Sequence, residues 1–233
     1  MNVSADTAGE PSDLHHNLSR IRAGVEEAAR SAGRDPAEVA VLAVSKRKAA
    51  DVVSVAIQAG LRSFGENYVQ EAVDKKAAIG VDDVEWHLIG HLQTNKARIA
   101  VQTFSLIETL DSEKLARQVS RVAVEAGKQQ RVLVQVHLGD ETTKTGIAPE
   151  KALELAATAA SLPGLLLEGF MGIAPLGVDP RPHFRGLRRL FDELPDANRK
   201  ILSMGMSSDY RVAIEEGSTM VRIGSDLFGA RTS

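Results

Sequence analysis

The feature that most constrains this chain is a steady alternation, from residue 39 to residue 224, of short apolar runs rich in β-branched residues with longer segments rich in Ala, Glu and Lys. The runs are too short for helices, and the segments between them carry apolar residues at helical spacing. The pattern therefore predicts βα units and a parallel sheet. Strands are expected at VAVLAVS (39–45), RSFGE (62–66), EWHLIG (85–90), FSLIETL (104–110), RVLVQVHL (131–138), LLLEGFMG (165–172), ILSMGM (201–206) and TMVRIG (219–224). Helices are expected at 49–60, 68–79, 112–127, 149–161, 181–194 and 209–216, with a weaker one at 94–101. No Pro- or Gly-rich linker divides the repeats, which favours one closed (β/α)8 TIM barrel over an open doubly wound sheet. Leu14, Leu18, Ile21, Val25 and Ala28 recur at three- and four-residue spacing and add an amphipathic helix before the first strand, ending near Gly33. Residues 1–13 read as a flexible polar leader and 14–233 as a single barrel domain.

Composition narrows the function classes. A 233-residue chain that is 43% hydrophobic and 25% charged can bury a large core. With 28 basic against 31 acidic residues its net charge is −3, so no overall field draws nucleic acid or an acidic membrane. Cysteine is absent, which removes disulfides, thiolate metal sites and a Cys nucleophile, and fits a reducing compartment. The leader has neither a basic n-region nor an apolar h-region, and the most apolar stretch, 162–178, is broken by Pro163, Glu168 and Pro175. A cytoplasmic protein is expected.

In a barrel of this type chemistry gathers at the C-terminal ends of the strands. Lys46 ends the first strand, with Arg47 and Lys48 following as an ordinary solvated strand end. Lys46 is either a charge snorkelling to solvent or an amine that desolvation or cationic neighbours make nucleophilic towards a carbonyl. Strand 7 runs into Ser207-Ser208-Asp209 and a helix, and strand 8 into Gly224-Ser225. Each Ser alone reads as a helix N-cap. Together, in the loops after strands 7 and 8, they suit a phosphate monoester. Arg222 lies within strand 8, where burial demands a partner: a salt bridge, or the pyridine nitrogen of a bound pyridoxal phosphate (PLP).

The segments AVSKRK, FGENYVQEA, EWHLIGHLQTNK, the KTG that closes Glu141–Gly146, and SMGMSSDYRVAIEEGSTMVRIGSDLFG closely resemble the pyridoxal phosphate homeostasis protein family. That family shares the barrel of the alanine racemase type, and the likeness extends from the first helix to Gly229. The resemblance implies that Lys46 forms a Schiff base with PLP, that Ser207, Gly224 and Ser225 hold the phosphate, and that Arg222 faces the ring nitrogen. Asn67 and His87 fall in matching motifs near the site, without an assigned contact. Ser225 stands where the family often has Thr, which keeps the hydroxyl. The MGIAP after strand 6 is shorter than in the family and leaves the shape of that loop open.

Other constellations fail. His87 and His91, four apart on a strand, are separated by about 13 Å, too far to share a metal ion. GMSSD is not a G-x-S-x-G elbow, and no P-loop motif occurs. Three readings differ in class: a PLP carrier that protects the cofactor and releases it to PLP-dependent apoenzymes, a racemase or decarboxylase using the same Lys46, or an empty barrel acting as a scaffold. Racemases sharing this barrel add a β-rich domain whose tyrosine is the opposing base, and no such segment follows Ser233. The expectation is therefore a carrier without strong turnover, and a monomer.

Overall fold

A computed structural model of the protein describes residues 11–139 and 145–229. Its eight strands are β1 (Ala40–Val44), β2 (Ser63–Glu66), β3 (Glu85–Leu88), β4 (Leu106–Leu110), β5 (Gln130–His137), β6 (Leu165–Ile173), β7 (Ile201–Met206) and β8 (Met220–Ile223). They pair in parallel and in chain order, and β8 closes onto β1 through Ala40↔Met220, Val41↔Val221, Leu42↔Arg222 and Ala43↔Ile223. The expected (β/α)8 barrel with an extra N-terminal helix is what the chain forms.

The helices are α1 (Pro11–Ser31), α2 (Ala50–Gln58), α3 (Val69–Ile79), α4 (Ala97–Thr103), α5 (Glu113–Glu125), α6 (Pro149–Ser161), α7 (Arg181–Asp192), α8 (Tyr210–Glu215) and α9 (Ser225–Phe228). Leu14, Leu18, Ile21, Val25 and Ala28 of α1 are all buried, each apolar side chain of leucine size contributing about 1.5–3 kcal/mol. The helix already runs at Pro11, inside the stretch read as polar leader; residues 1–10 lie outside the described residues. The weak helix read at 94–101 is a 3-10 turn, Thr94–Lys96, that runs into α4. The four-residue α9 was not anticipated, because so short an element shows no periodicity.

Strand residues alternate between two environments. Ala43, Phe64, Trp86, Ile107 and Val132 pack outward into the large core shared with the helices. Leu106, Leu133 and Met171 form a separate inner cluster with Ile201 packed on it. Above that plug the barrel interior turns polar, with Glu108, Gln135, Ser203 and Arg222 all buried.

Candidate functional site

The closure of β8 onto β1 sets the position of the strand-end residues. Gly224 follows β8, and a Cβ built on it would meet Val44 Cβ and the Val44 carbonyl at 3.4 Å. The backbone after β8 thus lies against β1 two residues before Lys46. β7 pairs with β8 through Met206↔Arg222, so Ser207 begins the adjacent loop. Asp209 Oδ1 accepts from the Met206 N–H at 2.6 Å and ties that loop into a turn before α8. α9 starts at Ser225 directly after Gly224, and the first N–H groups of a helix have no partner within it. Lys46, Ser207, Gly224 and Ser225 therefore sit on three consecutive strand ends. Lys46, Ser207 and Gly224 are partly buried and Ser225 is exposed.

Arg222 points into the barrel at 3% exposure. Its guanidinium donates to Ser203 Oγ at 2.8 Å and to the Gly172 carbonyl at 2.8 Å. The nearest balancing charge comes through Ser203, whose hydroxyl donates to Glu108 Oε2 at 2.6 Å. Burial lowers the Arg222 pKa, against the opposing pull of Glu108 and Asp209. For Glu108 burial works towards protonation, but His87, Arg222 and Ser203 outweigh it and hold the carboxyl below its usual range. Neither reading of Arg222 included the hydroxyl that carries its coupling to a carboxylate on another strand.

His87 is fully buried within the barrel. Its Nδ1 lies 2.9 Å from Glu108 Oε1, while Nε2 lies 3.5 Å from Glu85 Oε2, near enough to feel that charge but outside hydrogen-bond geometry. Burial alone would lower the imidazole pKa, yet the two carboxylates raise it. His87 thus belongs to the polar interior, in a chain Arg222–Ser203–Glu108–His87. His91 is exposed and pairs with Asp111 at 3.4 Å.

Asn67 directly follows β2 and is half-buried. Gly90 makes room for it: a Cβ there would fall 2.2 Å from the Asn67 carbonyl oxygen. Asn67 lines a groove of about 480 Å³ with Tyr68, Gln70, His91, Gln93 and Lys96. A concavity of about 500 Å³ lies at the opposite end of the barrel, between α1 and the starts of β1 and β2. In this architecture that N-terminal face serves stability rather than chemistry.

The run Arg47-Lys48 is only half the solvated strand end it was read as. Arg47 is exposed, but Lys48 Nζ donates to the Phe228 carbonyl at 3.1 Å and ties the loop after β1 to the end of α9. Of the Glu141–Gly146 motif, Glu141–Lys144 lie outside the described residues. Thr145 accepts from Gln135 Nε2 through its Oγ1 at 3.0 Å and its carbonyl at 3.2 Å. Sequence reasoning missed Glu108, Ser203, Gln135 and His137. The available signal was polarity inside strands otherwise made of Val, Leu and Ile.

A phosphorylated pyridine aldehyde would need an amine, a phosphate cradle and polar groups for its ring. The described residues fit that demand. Two of the guanidinium nitrogens of Arg222 are anchored, and the side chain carries five N–H donors in all. On β5, Gln135 Oε1 and His137 Nε2 are buried without a partner, as polar atoms awaiting a ligand would be.

The alanine racemase N-terminal domain family matches residues 16–232. The pyridoxal phosphate homeostasis protein of Pseudomonas aeruginosa is 42% identical over 222 residues, covering 94% of this chain and 96% of that protein. A crystal structure of a protein from Bifidobacterium adolescentis superposes with TM-score 0.89 at 33% identity, over 97% of this chain and 98% of that one. PipY of Synechococcus elongatus, solved with PLP bound, matches with TM-score 0.77 at 34% identity, over 93% of this chain and 100% of that one. A chain so similar over nearly its whole length, with the same barrel and with a lysine, a buried arginine and a glycine-serine pair on adjoining strand ends, belongs to the pyridoxal phosphate homeostasis protein family, on the barrel of the alanine racemase N-terminal domain.

Proposed function

We propose that this protein binds PLP as a Schiff base on Lys46 and takes part in intracellular PLP homeostasis, holding the reactive aldehyde and yielding it to PLP-dependent apoenzymes. The observation that carries the reading is the adjacency of three strand ends, which sets Lys46 beside the Gly224-Ser225 start of α9 and the Ser207 loop. When bound, PLP supplies an electrophilic aldehyde and an electron-withdrawing ring. Lys46 supplies the amine. Ser207, Ser225 and the backbone at Gly224 hold the phosphate dianion with hydroxyls and helix-start N–H groups. Arg222 donates towards the pyridine nitrogen, which disfavours protonation there and weakens the ring as an electron sink. Asn67 and His87 bound the site, the latter acting through Glu108.

That electronic arrangement suits storage better than turnover. Tyr68 and Tyr210 are the chain's tyrosines. Tyr68 is 56% exposed at the N-cap of α3, and the Tyr210 hydroxyl is packed against Gly24 of α1. Neither offers a base on the far face of a bound ring, so two-base racemisation lacks a partner. We place the protein in the cytoplasm as a monomer; among the described residues no helix is long and apolar enough to cross a membrane.

The test is to incubate the purified protein with PLP, reduce with borohydride and map the pyridoxyl group by peptide mass. The expected adduct is on Lys46, and an adduct on another lysine, or none with excess PLP, refutes the assignment. A screen of amino acids separates carrier from racemase or decarboxylase, since multiple turnovers at an ordinary enzymatic rate would overturn the carrier reading. For Arg222→Ala we expect weaker PLP retention and a shifted pH dependence of the visible absorption. An unchanged spectrum and affinity would remove Arg222 from the site.

A further inference from the structure

The motif FGENYVQEA contributes Asn67 to the site, but its two glutamates have no role in the reading above. The structure places both behind Lys46, in the layer between the strands and α3. Ser45 and Arg47 flank Lys46 in a turn closed by the Lys48 N–H on the Ser45 carbonyl at 3.0 Å. Arg47 adopts φ 60°, the only positive φ among the described non-glycine residues. A side chain in that conformation costs on the order of 1 kcal/mol and persists only where neighbours hold it.

The neighbours converge on Lys75 of α3. Lys75 Nζ donates to the Ser45 carbonyl at 2.6 Å, to Glu66 Oε1 at 2.7 Å and to Glu71 Oε1 at 2.7 Å. The same Glu71 oxygen accepts from the Arg47 N–H, and the same Glu66 oxygen accepts from Ser45 Oγ at 2.6 Å. The backbone is therefore gripped on both sides of Lys46, at the Ser45 carbonyl by Lys75 and at the Arg47 N–H by Glu71. The grip is buried on its inner side and open at its edge: the side chains of Lys75 and Glu66 are 7% and 0% exposed, and that of Glu71 is 23%. Burial raises the Glu66 carboxyl above its usual range, against the opposing pull of Lys75 and Ser45. A lysine buried at such desolvation cost and spending all three of its N–H donors on this cluster needs a purpose beyond packing.

We propose that Lys75, with Glu66 and Glu71, is a positioning device for Lys46: it locks the strained 45–48 turn and so fixes where the Lys46 amine meets the aldehyde of PLP. The inference rests on the reading that Lys46 forms the Schiff base. In that condensation the amine nitrogen bonds to the aldehyde carbon, and the carbonyl oxygen leaves as water with both hydrogens of the neutral amine. No oxidant or reductant takes part. The locked turn presents the amine in the geometry that the product requires, so it shifts the equilibrium towards bound cofactor.

Two variants test this, Lys75→Met and Glu71→Gln. In protein free of PLP, hydrogen exchange at the Arg47 and Lys48 amides should quicken about tenfold or more, the equivalent of one lost charge-assisted hydrogen bond, while β5 amides keep their protection. With PLP, both variants should bind about tenfold more weakly, with less Lys46 adduct trapped at a fixed time. Ser207→Ala is the control that weakens binding through the phosphate and leaves exchange in the turn unchanged. Wild-type exchange and wild-type adduct yield in both variants would overturn the inference with the Schiff-base reading intact. Absence of a Lys46 adduct in the wild-type protein would instead refute that reading. Glu71→Gln conserves volume at a partly exposed position, so it decides the matter by itself if Lys75→Met does not fold.

Discussion

We expect Lys46→Ala to abolish the borohydride-stable pyridoxyl adduct and to leave the barrel folded. Lys46 stands at the mouth, partly exposed, beyond the last residue of β1. Substitutions at such positions change stability by about 0.5 kcal/mol, or roughly 2 °C in Tm for a chain of this length. The effect on the cofactor is far larger. Without the covalent link, PLP is held by its phosphate and ring contacts alone, a few charge-assisted hydrogen bonds of about 1.5–3 kcal/mol each, less the entropy of association. Residual affinity should fall to a Kd on the order of 0.1–1 mM. Titration followed by absorbance, with circular dichroism for the fold, checks both halves. Covalent modification that persists in Lys46→Ala would move the Schiff base elsewhere.

The second large effect is on stability and comes from Glu108. This carboxylate is fully buried and hydrogen-bonded to His87 and Ser203, and through Ser203 it faces the buried Arg222. Glu108→Leu strands the Arg222 guanidinium and leaves His87 Nδ1 without its partner in a low-dielectric interior. Breaking a buried pair on one side costs about 3–5 kcal/mol, so Tm should drop by on the order of 10 °C in thermal melts. The same pair gives stability a defined pH window. The Glu108 pKa is depressed in the folded state, so its contribution is present above the ordinary carboxylate value of 4.5 and is lost as pH falls through the folded value. The His87 pKa is raised, so its contribution is complete below 6.5 and fades as pH rises through the folded value. Wild-type Tm should therefore decline on both sides of that window, and Glu108→Leu should flatten both arms. A variant that melts within a degree or two of the wild type at neutral pH would mean that other groups take over the partnering of Arg222 and His87.

The barrel has two stacked parts that respond differently to substitution. The mouth carries residues that tolerate truncation because water already reaches them, and the interior carries charges that do not, because nothing replaces a lost partner. The grip on the 45–48 turn joins the parts: it buries charge behind β1 to fix one amine at the rim.

What the sequence determined by itself was local. Strand positions followed from apolar runs of the right length, and the helices α1 to α8 from spacing within each segment, because both patterns repeat over a few residues. Lys46 and the Ser207 and Gly224-Ser225 loops were legible as strand ends for the same reason. The lock behind Lys46, the carboxylate on β4 and the tie from Lys48 to Phe228 were decided only by tertiary packing, the last two of them by closure of the barrel. Lys75 meets Ser45 across 30 residues, Glu108 meets Ser203 across 95, and Lys48 meets Phe228 across 180. A buried polar residue announces in sequence that it needs a partner. Which partner it finds depends on strand order and stagger, and these are set when the first and last strands share hydrogen bonds.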